Sequence, residues 1–335
     1  MKPERQPLSW DVISEITARY GLILARPHTI ASGYRNSCYS FQTEDGQMLN
    51  FLLYKAEPGI VSRIRRTNQL GAFGYAHGLP LRRPADARII RVGRRYGSLY
   101  HYLNGDTIPW EAYTMKHIKL LGWVMGDMHA AFRGYDAMLP SVIDEYEQIT
   151  KRVNTYFARP GVSRALHDKL HLGFASKTIS DLLSLIAFSR GLPTQALHMD
   201  FVRGNILFAT DSIAPHYTIG NLSLTGVLDL EKAAHGPVLY DIARTLAFLY
   251  VDCANKTSDQ IRKYFLVSGY DKRSTANFTP STANLTLLEQ LVTLFLVYDF
   301  YKFLRDNPYE DLARNHHFCR TRDILIARKV LQYNN

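Results

Sequence analysis

The residues of this sequence that are best suited to chemistry lie between positions 194 and 235, in an island of short apolar strands between long helices. Asp200 is followed five positions later by Asn205, and a second acid, Asp229, lies at the end of the next predicted strand. Phosphoryl transfer from a nucleotide needs a carboxylate to receive the acceptor hydroxyl's proton and oxygen ligands for Mg²⁺. Asp200 can be that carboxylate, and Asn205 and Asp229 can bind the metal. Alternatively, Asp200 and Asn205 only satisfy the backbone of their own loop.

The order of these residues resembles that of the aminoglycoside phosphotransferase and choline kinase family, which has a protein-kinase-like fold. The family motif His-Gly-Asp-x-x-x-x-Asn appears as His198-Met199-Asp200 followed by Asn205, and the metal motif appears as Leu228-Asp229-Leu230-Glu231. The family's later aspartate, which supports the catalytic loop, matches Asp241. The resemblance extends over essentially the whole chain, and it implies a catalytic role for Asp200 and Mg²⁺ binding by Asn205 and Asp229.

Supporting roles follow from the same resemblance. His198 is expected to pack and hydrogen-bond the loop rather than act as a general base, and Glu231 completes the metal motif. Arg203 has no fixed counterpart in the family, so it either reaches the transferred phosphate or faces solvent.

A strand lysine that contacts the α- and β-phosphates is also expected in kinases, and Lys55 at the end of a predicted strand resembles it. Alternation places Leu53 and Lys55 on one face of that strand. The usual partner is a glutamate on the next helix, but no acid occurs between Glu57 and Asp86. We therefore expect a neutral partner, Asn68 or Gln69, or else a surface lysine.

The loop that covers the nucleotide is expected between the first two strands. Ser32 and Gly33, with Asn36 and Ser37, can offer hydroxyl and backbone N–H donors to phosphate, although an ordinary turn explains a lone glycine equally well. The resemblance implies that the linker at Tyr102 and Leu103 binds adenine through its backbone.

The elements around these residues predict an α+β, protein-kinase-like fold with two lobes. A β-hairpin around Asp45-Gly46 and one helix characterise a small β-rich N-terminal lobe, 1–104, for the nucleotide. A larger, mainly helical C-terminal lobe, 105–335, holds the catalytic loop and acceptor site. Helices are predicted at 60–76, 114–132, 141–157, 163–189, 239–252, 258–268, 281–305 and 309–331.

The amino-acid composition limits the class of protein and the kinds of partner that we expect. The chain of 335 residues carries 40 Lys and Arg against 30 Asp and Glu, a formal net charge of +10, and residues 51–100 hold ten basic and two acidic residues. This stretch is either a solvated surface or a phosphate or nucleic-acid contact. Cys38, Cys253 and Cys319 have no zinc or disulfide spacing. No apolar run spans a membrane, so a cytoplasmic protein is expected.

The predicted function is an Mg²⁺-dependent phosphotransferase that moves the γ-phosphoryl group of ATP or GTP to a hydroxyl of a small molecule. Polycationic aminoglycosides call for a cleft lined with carboxylates, so this basic chain favours a metabolite, a sugar or an amino alcohol as acceptor. The alternative is a catalytically impaired kinase-like protein that binds nucleotide, nucleic acid or a protein partner. A protein kinase is disfavoured because His-Arg-Asp, Asp-Phe-Gly and Ala-Pro-Glu do not occur in order.

Overall fold

A five-stranded antiparallel sheet forms the first part of the chain in the computed structural model, which describes residues 7–32, 36–175, 177–210, 216–273 and 282–334. The strands lie in the order β1-β2-β3-β5-β4. Gly46, with φ +84°, makes the predicted hairpin turn between β2 and β3. The strands of this sheet are β1 Leu24–Ser32, β2 Ser37–Thr43, β3 Met48–Tyr54, β4 Pro84–Val92 and β5 Arg95–His101.

Two helices cover this sheet, and each packs on a separate apolar cluster. Helix α1, Trp10–Ala18, begins at Ser9, whose hydroxyl accepts a hydrogen bond from Val12 N. It packs on a cluster that includes Phe51 and Leu53 of β3. Helix α2, Ile60–Ala76, contributes to a second cluster with Leu52 and Tyr54. The side chains of β3 therefore alternate between the α1 face and the α2 face of the sheet.

The rest of the chain is mainly helical, with small two- and three-stranded sheets. The helices are α3 Met115–Phe132, α4 Val142–Phe157, α5 Pro160–Leu170, α6 Thr178–Ser189, α7 Val238–Asp252, α8 Ser258–Arg262, α9 Thr282–Asp306, α10 Tyr309–Leu312 and α11 His316–Ala327. A π-helical turn, Lys263–Val267, continues α8, and 3₁₀ turns occur at Trp110–Ala112, Arg203–Asn205 and Tyr270–Lys272. The short strands are β6 Leu172–Phe174, β7 Gln195–Leu197, β8 Ile206–Thr210, β9 Thr218–Ile219, β10 Leu222–Val227, β11 Ala234–Gly236 and β12 Leu331–Tyr333.

The short strands pair over long sequence distances. β11 pairs with β7, β12 pairs with β6, and the three-stranded sheet has the order β8-β10-β9. Helices α7 and α9 pack against each other, and almost every residue of α7 is buried. The mixed architecture confirms the α+β fold class. None of the described helices is long and apolar enough to cross a membrane.

The chain divides into two compact units. Unit 1 comprises residues 1–106, 207–209 and 225–231, and unit 2 comprises 107–206, 210–224 and 232–335. This division differs from a single boundary after residue 104, because parts of β8 and β10 and the segment that carries Asp229 belong to unit 1. The predicted roles of the two lobes stay predictions.

Two of the long helices predicted from the sequence are interrupted in the structure, so these two predictions are wrong. The predicted helix 163–189 is broken because His171 takes the left-handed conformation, with φ +52°, and residues 172–174 form β6. The predicted helix 309–331 is interrupted after α10, since Asn315 caps a new helix by accepting a hydrogen bond from Phe318 N. Its last residue, Leu331, lies in β12.

Candidate active site

The candidate catalytic loop, residues 198–205, lies in unit 2 between β7 and β8. Asp200 is almost buried, with 9% of its surface exposed, and its Oδ1 lies 2.7 Å from Lys232 Nζ. Asn205 Nδ2 donates to the backbone oxygen of Asp200 at 2.9 Å and lies 3.3 Å from Asp200 Oδ2. This arrangement leaves the amide oxygen of Asn205 available to a metal ion.

Asp241, at the start of α7, holds this loop in place. Its Oδ2 accepts the backbone N–H of His198 at 2.8 Å, and its Oδ1 accepts that of Met199 at 2.9 Å. Met199 occupies the glycine position of the family motif with φ +61°, a conformation that costs a side-chain-bearing residue about 1 kcal/mol or more. The two hydrogen bonds offset that cost and position the neighbouring Asp200.

Two histidines support the loop from within the core of unit 2. His198 is fully buried, and its Nδ1 accepts the backbone N–H of Asp200 at 3.1 Å, as expected of a residue that positions the loop. His129 of α3 lies between Tyr270, at 2.8 Å, and Asp241, at 3.2 Å. Burial raises the pKa of the Asp241 carboxyl, but the hydrogen bonds from His129 and the loop outweigh it, so that pKa lies below its usual range.

Charged side chains of both signs cluster near Asp200 within unit 2. Lys232 contacts it directly, and Arg244 is buried in an ion pair with Asp299 at 2.9 Å. Burial lowers the pKa of Lys302 and outweighs the nearby carboxylate of Asp299, which raises it, while the charges of Arg244 and Lys232 lower it further. Arg203, for which the sequence left two alternatives, is exposed on its 3₁₀ turn.

The candidate metal motif lies in unit 1 at the end of β10. Asp229 has φ +58°, and its Oδ1 accepts the backbone N–H of Glu231 at 3.2 Å, which leaves its second oxygen available. Glu231 accepts a hydrogen bond from Asn36 Nδ2 and lies 3.8 Å from Arg63. Burial and the Asp229 carboxylate raise the pKa of Glu231. Among the described residues, no group of three or more His, Cys, Asp or Glu could hold a metal ion.

Lys55 lies just beyond β3 rather than on the strand. Its Nζ is 3.4 Å from Glu57, and its side chain is 42% exposed. The prediction that Asn68 or Gln69 is a neutral partner of Lys55 is wrong. The side chain of Asn68 is hydrogen-bonded to Ser98 and Tyr100, and Gln69 is exposed. The partner of Lys55 is thus an acid that precedes α2.

The remaining predicted nucleotide contacts are only partly within the described chain. Gly33 lies outside the described residues, and Ser32 ends β1, where its backbone pairs with Ser37. The backbone N–H of Tyr102 donates to the carbonyl oxygen of Met48 at 3.2 Å and is therefore used. The backbone N–H of Leu103 makes no hydrogen bond with a described residue and remains available to a base.

The structure adds four residues that the sequence did not indicate. In unit 2 they are His129 and Lys232, which contact Asp241 and Asp200, and in unit 1 they are Arg82 and Glu57, which contact Tyr100 and Lys55. His129 interrupts the apolar face of α3 one turn after Met125, which is the signal that could have found it. Lys232 directly follows the metal motif, but its spacing alone does not indicate its partner.

The comparisons define the class of protein. A sequence profile described as the phosphotransferase enzyme family, APH, matches residues 28–274, so the chain belongs to this family. The predicted resemblance, and the prediction of a kinase with an alcohol group as acceptor, are confirmed.

Individual proteins and solved structures are similar to this chain over most of its length. A homoserine kinase of Pseudomonas aeruginosa is 27% identical over 290 residues, which are 83% of this chain and 80% of that protein. The structure of amicoumacin kinase hAmiN in complex with AMP-PNP, Ca²⁺ and Ami superposes with a TM-score of 0.66 at 13% identity, covering 96% of this chain and 97% of that one. Macrolide 2'-phosphotransferase MphH from Brachybacterium faecium gives a TM-score of 0.57 at 16% identity, covering 93% and 98%. These structures share the protein-kinase-like fold with this chain.

Proposed function

We propose that this protein transfers the γ-phosphoryl group of ATP or GTP, with Mg²⁺, to the hydroxyl of a small amino alcohol of the homoserine type. One observation carries the proposal. Asp200, almost buried, stands on a loop whose backbone is fixed by the buried carboxylate of Asp241, and it faces Lys232. A binding module has no need of a carboxylate held in this way, whereas phosphoryl transfer depends on such positioning.

In the proposed reaction, Asp200 orients the acceptor hydroxyl and receives its proton as the oxygen attacks the γ-phosphorus. Asn205 and Asp229 would hold Mg²⁺, and each has an oxygen left available in the structure. An amide and a single carboxylate fit this ion, which takes few protein ligands and completes its shell with water and phosphate oxygens. When bound, the ion would supply positive charge that offsets the negative charge of the nucleotide's phosphates. His198 and Asp241 keep Asp200 in position.

For the donor, we propose that Lys55, Ser32 and Gly33 contact the phosphates. The linker at Tyr102 and Leu103 would bind the base, and the available N–H of Leu103 supports this role. Complexes of related enzymes hold AMP-PNP or GDP, which supports a purine nucleotide as the donor.

For the acceptor, the named relatives give more guidance than the charges near Asp200. Among the described residues, Lys232, Lys302 and Arg244 lie there, but Lys232 is paired with Asp200, Arg244 is paired with Asp299, and the carboxyl of Glu145 lies near Lys232 and Arg244. An aminoglycoside, which is a polycation, is disfavoured by the formal net charge of +10 on the whole chain. The relatives named homoserine kinase, which match most of this chain, support an amino alcohol with a carboxylate.

The basic stretch 51–100 gives little support to a nucleic-acid partner, because many of its arginines have partners within unit 1. Arg95 donates to the carbonyl oxygens of Leu53 and Tyr54, and Arg88 is paired with Asp86. Arg83 stacks on a tyrosine ring at 3.8 Å. Side chains held in this way are less free to follow the phosphates of a nucleic-acid strand.

The test is release of nucleoside diphosphate by the purified protein with Mg-ATP or Mg-GTP, followed across a panel of acceptors. We expect turnover with L-homoserine and none with kanamycin, and loss of turnover in Asp229→Ala. Undiminished turnover in Asp229→Ala would contradict the metal assignment. Turnover with kanamycin but not with homoserine would contradict the acceptor class.

A further inference from the structure

None of the described strands of the unit 1 sheet carries the lysine that the family resemblance led us to expect. The residue that ends β3 on the α2 face is Tyr54, which packs with Ile60 and Ile64 of α2. Lys55 follows the end of the strand, is partly exposed and is paired with Glu57. Since phosphoryl transfer needs positive charge beside the β- and γ-phosphates, another cation must supply much of it.

A neutral hydrogen-bonded network takes the place of the expected ion pair. The hydroxyls of Tyr54 and Tyr100 lie 2.6 Å apart, Tyr100 donates to Asn68 Oδ1 at 2.7 Å, and Asn68 donates to Ser98 at 3.0 Å. Burial raises the pKa of Tyr54 and raises that of Tyr100 to about 12, so both hydroxyls are neutral near pH 7. The network thus satisfies its own polar groups without providing charge.

Arg82 brings a positive charge to this network. Its guanidinium carbon lies 5.0 Å from the centre of the Tyr100 ring, and its charge acts on Tyr54 and Asp229. Its backbone N–H donates to the carbonyl oxygen of Val227 at 3.0 Å, two residues before Asp229. The residue is therefore tied to the strand that carries the candidate metal ligand.

The Arg82 side chain still has all of its donors to offer. It is partly buried, yet it forms no side-chain hydrogen bond or ion pair with any residue in the described part of unit 1. A guanidinium has five N–H donors, and burying them without acceptors is unfavourable. The backbone of Arg82 packs closely on α2, because a Cβ on Gly71 would lie only 2.5 Å from the carbonyl oxygen of Arg82.

We propose that Arg82 binds the phosphate groups of the nucleotide and supplies the positive charge expected of the strand lysine. This inference rests on the proposed function, since it assumes a nucleoside triphosphate in unit 1. A planar guanidinium that already stacks on an aromatic ring is well suited to bind two phosphate oxygens at once. Lys55, paired with Glu57, then contributes less to phosphate binding than Arg82 does.

The experiment measures dissociation constants for Mg-ATP and for adenosine by calorimetry. We expect Arg82→Met to weaken Mg-ATP binding by about tenfold or more, with the affinity for adenosine unchanged, because only phosphate contacts are lost. The matched control is Arg83→Met, which removes the same charge one residue away, where the guanidinium stacks on Tyr75. This control should bind both ligands as the wild type does.

A purely structural role for Arg82 would weaken binding of Mg-ATP and adenosine equally, and that result would overturn the proposal. Equal Mg-ATP affinity in Arg82→Met and the wild type, with a large loss in Lys55→Met, would also overturn it. Arg82→Lys keeps the charge and provides the comparison if the methionine variant does not fold. It should retain part of the phosphate affinity, and unchanged affinity would count against a bidentate contact. A wild-type protein that does not bind Mg-ATP or Mg-GTP would contradict the proposed function instead.

Discussion

Replacing Asp241 by asparagine tests whether one buried carboxylate organises the catalytic loop. Asp241 is completely buried, and its two oxygens accept the backbone N–H groups of His198 and Met199 at 2.8 and 2.9 Å. Asparagine has the same shape but only one oxygen, so its NH₂ group must face one of these donors. In the more favourable orientation the oxygen keeps His198 and His129, and the N–H of Met199 is left buried without an acceptor.

The expected cost follows from that lost acceptor. A buried donor without a partner destabilises a protein by about 1–3 kcal/mol, and water cannot replace the partner at a fully buried position. We therefore expect the free energy of unfolding of Asp241→Asn to fall by about 1–3 kcal/mol at pH 7, measured by urea denaturation. The control Asp181→Asn, at an exposed position in the first turn of α6, should change it by less than about 0.5 kcal/mol.

The contribution of Asp241 to the free energy of unfolding changes with pH in a defined direction. Because the pKa of Asp241 in the folded protein lies below its usual value, its contribution to stability is fully present above the unfolded pKa, near 4, and is lost as the pH falls through the folded pKa. The difference between the wild type and Asp241→Asn should therefore stay constant between about pH 5 and 7 and shrink in more acidic solution. Equal stability at pH 7, or a difference that grows on acidification, would refute the reasoning.

Two further substitutions test the packing of each unit by urea denaturation. Gly71→Ala should destabilise unit 1 by about 1–3 kcal/mol, because the new Cβ would lie 2.5 Å from the carbonyl oxygen of Arg82. The control is Gly161→Ala in α5, where the new Cβ meets no atom within 4 Å, and this variant should be neutral or slightly stabilised. Arg244→Met should destabilise by about 3–5 kcal/mol, since it leaves Asp299 buried and unpaired, and adding Asp299→Leu should recover much of that loss. Equal effects of the two glycine variants, or no recovery in the double variant, would contradict these packing arguments.

Helices with local start signals were predictable from the sequence. Helices α3 and α4 begin after Thr114 and Ser141, within a residue of the predicted start, because each has a capping residue followed by regularly spaced apolar positions. The break at His171 was not predictable, since β6 is fixed by its pairing with β12, more than 150 positions away. Local periodicity holds no information about such a partner.

The candidate site shows the same division between local and distant information. Asp200, Asn205 and Asp229 were recognisable because their spacing within two short segments carries the motif. The contacts of His129 and the network of Tyr54, Tyr100 and Asn68 join segments far apart in sequence, so only the fold reveals them. The partner of Lys55 was missed although it is two residues away, because the expectation was a partner on the following helix.

The most direct test of the central claim compares the wild type with Asp200→Asn in phosphoryl transfer to L-homoserine, with the phosphorylated product detected by ³¹P NMR. The variant keeps the shape of the side chain that faces Lys232, and its binding of Mg-ATP is checked by the rise in Tm that the nucleotide causes. We predict that the wild type forms the phosphate ester and that Asp200→Asn binds the nucleotide but forms product at least about a thousandfold more slowly. Product formation at the wild-type rate in Asp200→Asn would contradict the account.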